Sequence, residues 1–164
     1  PLALASLHAF ADAQREYFEQ PGDGKPASYA RKVWSSEGAH DGLYWPAAEG
    51  DEESPLGPLF AEAALDHQED SARQPFNGYY FRLLDRQGGN APGGERSYLD
   101  EHGAMTRGFA AMAWPAKYDN SGVMTFQVSQ QGIIFQKDLG AETEAAVAAM
   151  AAYDPDESWT PTRD

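Results

Sequence analysis

"SGVMTFQVSQQGIIFQKD", residues 121–138, is the stretch that decides the fold. Met124, Phe126 and Val128 alternate with Val123, Thr125 and Gln127, the two-residue period of a strand. Ser129-Gln130-Gln131-Gly132 breaks the pattern as a tight turn. Gly132 suits the left-handed position of a bulged hairpin, and "IIFQKD" reads as the returning strand.

Working back from this hairpin, "GFAAMAWPAKY" (108–118) predicts another strand, with Phe109, Ala111 and Ala113 on one face and Ala110, Met112 and Trp114 on the other. Pro115 ends its pairing or puts it at an edge. "GYYFRLLD" (78–85) is aromatic and apolar, as strands are. "QGGNAPGGE" (87–95) reads as a flexible Gly- and Pro-rich connection. Ser97 to Leu99 read as a short extended piece, and Asp100 to Gly103 as a turn.

The flanks are helical. "LALASLHAFADAQREYFEQ" (2–20) places Leu4, Leu7, Phe10, Ala11, Gln14, Tyr17 and Phe18 near one face. "GDGKPASYARKVWSS" (22–36) predicts a short second helix from Pro26, and "SPLGPLFAEAALDHQ" (54–68) another around Leu59 to Leu65 with Ser54 as N-cap. "GAETEAAVAAMAAY" (140–153) predicts a C-terminal helix with Val147, Met150 and Tyr153 as its stripe. Strands gathered in one run imply an α+β domain, an antiparallel meander of about four strands with helices on one face. The expectation is one domain over 1–164: a helical part (1–40), an acidic belt (41–75), the sheet (76–140) and a C-terminal helix and tail (141–164).

The charge is uneven. Net charge is −14, and residues 41–70 hold nine carboxylates and no Lys or Arg. Such a surface repels phosphate backbones and anionic lipids, so nucleic acid is excluded as a partner, while cations and basic proteins suit it. No cysteine is present, which removes disulfides and thiol chemistry. No run approaches the roughly 18 apolar residues that span a bilayer. The first residues, "PLALASLHAF", lack an initiator Met, which fits a processed or trimmed start with a segment upstream.

No reaction is legible. His8, His40, His67 and His102 form no paired zinc motif, and no GxSxG or phosphate-binding Gly motif occurs. Ser97, Asp100 and His102 stand close in sequence, but a triad is a matter of geometry. In the belt, Tyr44 and Trp45 have the character of a sugar-stacking pair, and the abundant carboxylates are of the type used by an extracellular hydrolase. Calcium is the ion that the hard oxygens suit, with Asp23 in "QPGDGKPASY" and Asp51, Glu52 and Glu53 in "EGDEES" as candidate ligands. The partner surfaces expected are the apolar side of the first helix, through Leu7 and Phe10, and the belt, through Tyr44 and Trp45.

Six segments taken together, "FADAQREYF" (10–18), "DGLYWPAAEGDEESPLGPLFAEA" (41–63), "GYYFRLLDRQG" (78–88), "APGGERSYL" (91–99), "MTRGFAAMAWPAKYDNSGVMTFQVSQQGIIFQKDLG" (105–140) and "YDPDESW" (153–159), resemble the bacterial family domain of unknown function 2950, in its C-terminal part. The resemblance implies export from the cytoplasm of a Gram-negative bacterium, to the periplasm or beyond, and carries over no catalytic residue. More loosely, a leading amphipathic helix followed by an antiparallel sheet resembles the globular heads of type IV pilins and pseudopilins. Together these imply a non-enzymatic accessory or structural subunit that assembles with itself or a protein partner, with a calcium- or glycan-binding domain as the alternative.

Overall fold

Gly132 turns the central hairpin at φ +81°, donating its N–H to the Ser129 carbonyl at 2.9 Å. In the computed structural model, which describes residues 2–22, 24–47, 52–64 and 74–163, this hairpin joins β5 (Met124–Ser129) to β6 (Ile134–Asp138). The other elements are α1 (Leu2–Glu19), α2 (Pro58–Ala63), β1 (Tyr79–Leu84), β2 (Arg86–Gln87), β3 (Arg96–Ser97), β4 (Ala110–Pro115), a 3-10 turn (Gly140–Glu142), α3 (Thr143–Ala148) and β7 (Thr160–Pro161).

The main sheet has five strands in the order β1-β4-β5-β6-β7, and β2 and β3 form a two-stranded ribbon between β1 and β4. All pairings are antiparallel, with Phe81 opposite Ala113 and Val128 opposite Ile134. The fold is therefore the α+β meander that the sequence implies, with one strand more than expected. That strand, β7, is two residues long and follows Trp159, too short to show a period.

One face of the sheet presents Phe81, Ala111, Ala113, Phe126 and Val128. Phe60 of α2 stacks on Phe81 at 4.4 Å, and Phe10 of α1 meets the edge of Phe109 at 5.6 Å. The opposite face carries Arg82, Met112, Trp114 and Gln127. It lies under α3 and the tail: Arg82 Nη2 donates to the carbonyls of Val147 and Met150, and the Asp154 N–H donates to Gln127 Oε1 at 3.1 Å. Helices thus cover both faces, not one. Every residue of β4 is buried in consequence, and Pro115 simply closes an interior strand.

The second helix expected from Pro26 does not form. The Tyr29 N–H donates to the Met105 carbonyl at 2.8 Å, and the Tyr44 N–H donates to the Val33 carbonyl at 2.8 Å. This segment is extended, and Tyr29, Val33 and Trp34 are all good strand formers. The third expected helix begins later than Ser54, with Gly57 at the N-cap and Pro58 in the first turn, while Ser54 Oγ donates to the Leu56 carbonyl. The C-terminal helix stops at Ala148 because the chain leaves it to pair with β2, where the Tyr153 N–H donates to the Arg86 carbonyl at 3.0 Å.

Candidate functional site

Residues 32–45 fold the belt back on the extended segment after α1. The Leu43 and Tyr44 N–H groups donate to the carbonyls of Lys32 and Val33, and Leu43 and Leu56 are buried. Gly42 sits where the two backbones pass closest. A Cβ there would lie 2.6 Å from the Val33 carbonyl oxygen and 2.9 Å from the Ser35 nitrogen. The reversal at 36–41 is tied by Asp41, whose carboxylate accepts from the Ser36 N–H (2.7 Å) and Oγ (2.9 Å) and pairs with Lys32 at 3.3 Å. Partial burial pushes the Asp41 carboxyl up, but the Ser36 hydrogen bonds and Lys32 outweigh it and hold the carboxyl below its ordinary value.

This fold-back opens a cleft of about 520 Å³ against the C-terminal end of α1. Glu16, Tyr17 and Gln20 form one wall and Lys25, Pro26 and Ser28 the next. His40, Asp41 and Trp45 close the belt side with Glu52 and Glu53. The Trp45 indole stacks on His40 at 3.9 Å and 8°, and its Nε1 donates to the Glu52 carbonyl at 2.9 Å. That bond sets Glu52 at the rim. Four described carboxylates and one ammonium, Lys25, thus line the cleft, and Asp41 is already paired with Lys32. The α1 C-terminus adds the negative end of its dipole, and no basic residue stands in the last turn to offset it.

The sequence-predicted residues divide. Trp45, Glu52 and Glu53 come together in this cleft. Tyr44 turns away and packs edge-on to Trp34 at 5.0 Å, half-buried. Leu7 and Phe10 must be corrected: both are 0% exposed, packed in this chain's own core, and neither offers a docking surface. Asp23 and Asp51 lie outside the described residues. Among the described residues no group of three or more His, Asp or Glu is placed to hold a metal ion. Asp100 accepts the backbone N–H groups of His102 and Ala104, while the His102 imidazole stands exposed beside Glu101, so Asp100 orients a turn and not a histidine side chain.

Glu16, Tyr17, His40 and Asp41 are cleft residues that the sequence reading missed. A signal for Glu16 was present. A carboxylate in the last turn of a helix opposes the dipole, by about 0.3–1 kcal/mol, which is not where helix stability would place it.

Fold and cleft define an acidic α+β domain with an anionic, aromatic-walled recess among the described residues. Residues 2–162 match the model of the family described as Protein of unknown function (DUF2950), and the chain belongs to that family. No curated protein and no solved structure matches it. The likeness to pilin heads therefore rests on the order of elements alone. Among the described residues no helix is long and apolar enough to cross a membrane.

Proposed function

We propose that this chain is a non-enzymatic exported protein, an accessory or structural subunit of a bacterial envelope or extracellular assembly. Its partner is a protein that brings Lys or Arg side chains to the cleft between α1 and the belt. One observation carries the reading: Glu16, Asp41, Glu52, Glu53 and the negative end of α1 converge on one recess beside the Trp45–His40 stack. Like charges held together raise the local potential and favour a cationic partner. Asp41 is held ionised and does not serve as a proton donor, but Lys32 offsets its charge, so the net anionic character comes from Glu16, Glu52 and Glu53. The periplasmic or extracellular setting is part of this proposal, and the resemblance to the family is what supports it.

Calorimetry with an oligolysine peptide tests the cleft. The expected result is binding that weakens as salt rises and is lost in the double reversal Glu52→Lys/Glu53→Lys. Peptide binding that ignores both salt and the reversal overturns the reading, as does binding of calcium or a neutral oligosaccharide in place of the peptide. Fractionation of the source cells tests the setting, and a purely cytosolic protein overturns it.

A further inference from the structure

Arg31 and Arg82 line a single hollow of about 260 Å³ between the end of β1 and the end of α3, apart from the acidic cleft. Leu83, Leu84, Ala148, Met150 and Ala151 also line it, with Asp85 at one side. Arg82 is held rigidly. Its guanidinium lies 5.9 Å from the Trp114 ring centre, and Nη2 alone takes the Val147 and Met150 carbonyls and the Met112 sulfur. No described residue accepts a hydrogen bond from its Nε or Nη1. Arg31 donates Nη1 to the Gly103 carbonyl at 3.1 Å and is otherwise exposed.

We propose that this hollow binds a single carboxylate carried on a short apolar stem. Arg31 keeps one paired edge, Nε with Nη2, and Arg82 adds single N–H donors at Nε and Nη1, and charge-assisted bonds to a carboxylate are the strong ones. The apolar wall takes the stem. A phosphate dianion suits the place less, because Asp85 stands beside it and the chain as a whole is at −14. Asp85 itself pairs with Arg86 at 3.3 Å, which draws it from the two arginines lining the hollow. The carboxylate has two sources of the same chemistry, a free short-chain acid and the C-terminus of a peptide with an apolar last residue.

Titration of ¹⁵N-labelled full chain, read at the arginine Nε–H resonances, tests this with three probes: hexanoate, acetyl-Gly-Ala-Leu as the free acid, and the same peptide amidated. The expected result is a saturable shift of the Arg82 resonance with at least one free acid and none with the amide. Hexanoate alone or the peptide acid alone identifies the source. Arg31→Gln, at an exposed position, is expected to weaken the binding about tenfold. Arg82→Lys, which keeps a donor for the α3 carbonyls, is expected to weaken it at least as much with the far-ultraviolet spectrum unchanged. Equal shifts with acid and amide, no shift with any probe, or undiminished binding in Arg31→Gln overturns the proposal.

Discussion

The Gln14 side chain lies flat against the backbone of Ala30. Its Oε1 accepts the Ala30 N–H at 2.8 Å, and its Nε2 donates to the Ala30 carbonyl at 2.9 Å. A helix residue thus mimics a strand partner, with both groups buried, and this fixes how the chain leaves α1 for the belt. It also removes Ala30 from any helix of its own.

Replacing Gln14 with Leu should therefore cost far more than an exposed helix substitution. The apolar surface is kept, but a buried N–H and a buried C=O lose their partners, each worth about 1–3 kcal/mol. We expect a loss of about 2–6 kcal/mol in urea unfolding. A loss under about 0.5 kcal/mol, the range of an ordinary surface change, would show that water replaces the side chain.

Gly42 makes a second prediction on the same segment. A methyl group there meets backbone atoms of Val33 and Ser35, which cannot rotate away. Gly42→Ala should destabilise by about 1–3 kcal/mol, whereas Gly89→Ala, with open space around it, should stay within about 0.5 kcal/mol. Thermal unfolding of the two variants side by side checks the contrast.

These two contacts show where sequence reading stops. The central hairpin was legible because Met124, Phe126 and Val128 repeat at period two and Gly132 marks the turn. The α1 stripe was legible at period 3.6, down to Gln14. Periodicity reports which side is covered and not by what. Leu7 and Phe10 look alike whether they meet a partner or Phe109, and residues 26–36 look helical until Gln14 and Met105 claim their backbone. The cleft was half legible. Trp45, Glu52 and Glu53 stand in one acidic run, whereas Glu16 and Tyr17 reach them only through the fold.

Asp41 gives the pH prediction. Its carboxyl is lowered in the folded chain from an ordinary value of 3.8, so on acidification the unfolded chain takes up the proton first. The stability it supplies is present above the unfolded value and is lost as pH falls through the folded one. Asp41→Asn should be less stable than the parent at pH 7, and the gap should close as pH falls through the folded value. The side chain is 46% exposed, so solvent screening keeps the gap at pH 7 under about 1 kcal/mol. Urea unfolding at several pH values reads it. A gap that does not narrow on acidification would assign the effect to packing.

The Gly- and Pro-rich connection after β1, expected to be flexible, is held by one side chain. Gln87 Nε2 donates to the carbonyls of Pro92 and Gly94, each at 2.8 Å, and its Oε1 accepts the buried Tyr98 hydroxyl at 3.2 Å. Burial raises the Tyr98 hydroxyl well above its ordinary value, next the neighbouring Tyr153 adds to the rise and Arg96 opposes it, so the hydroxyl stays a donor. The two functions of the amide can be separated. Gln87→Glu keeps an acceptor for Tyr98 but offers no N–H to the loop and sets a carboxylate against two carbonyls. Gln87→Leu removes both. Amide hydrogen exchange across 88–97 should accelerate about tenfold in Gln87→Glu, since each tenfold corresponds to about 1.4 kcal/mol of local opening and two hydrogen bonds are lost. In Gln87→Leu the unpartnered Tyr98 hydroxyl should also lower global stability, so that the β5 amides exchange faster too. Equal acceleration of loop and β5 in the Glu variant would mean that the loop has no opening of its own and that Gln87 acts only through the core.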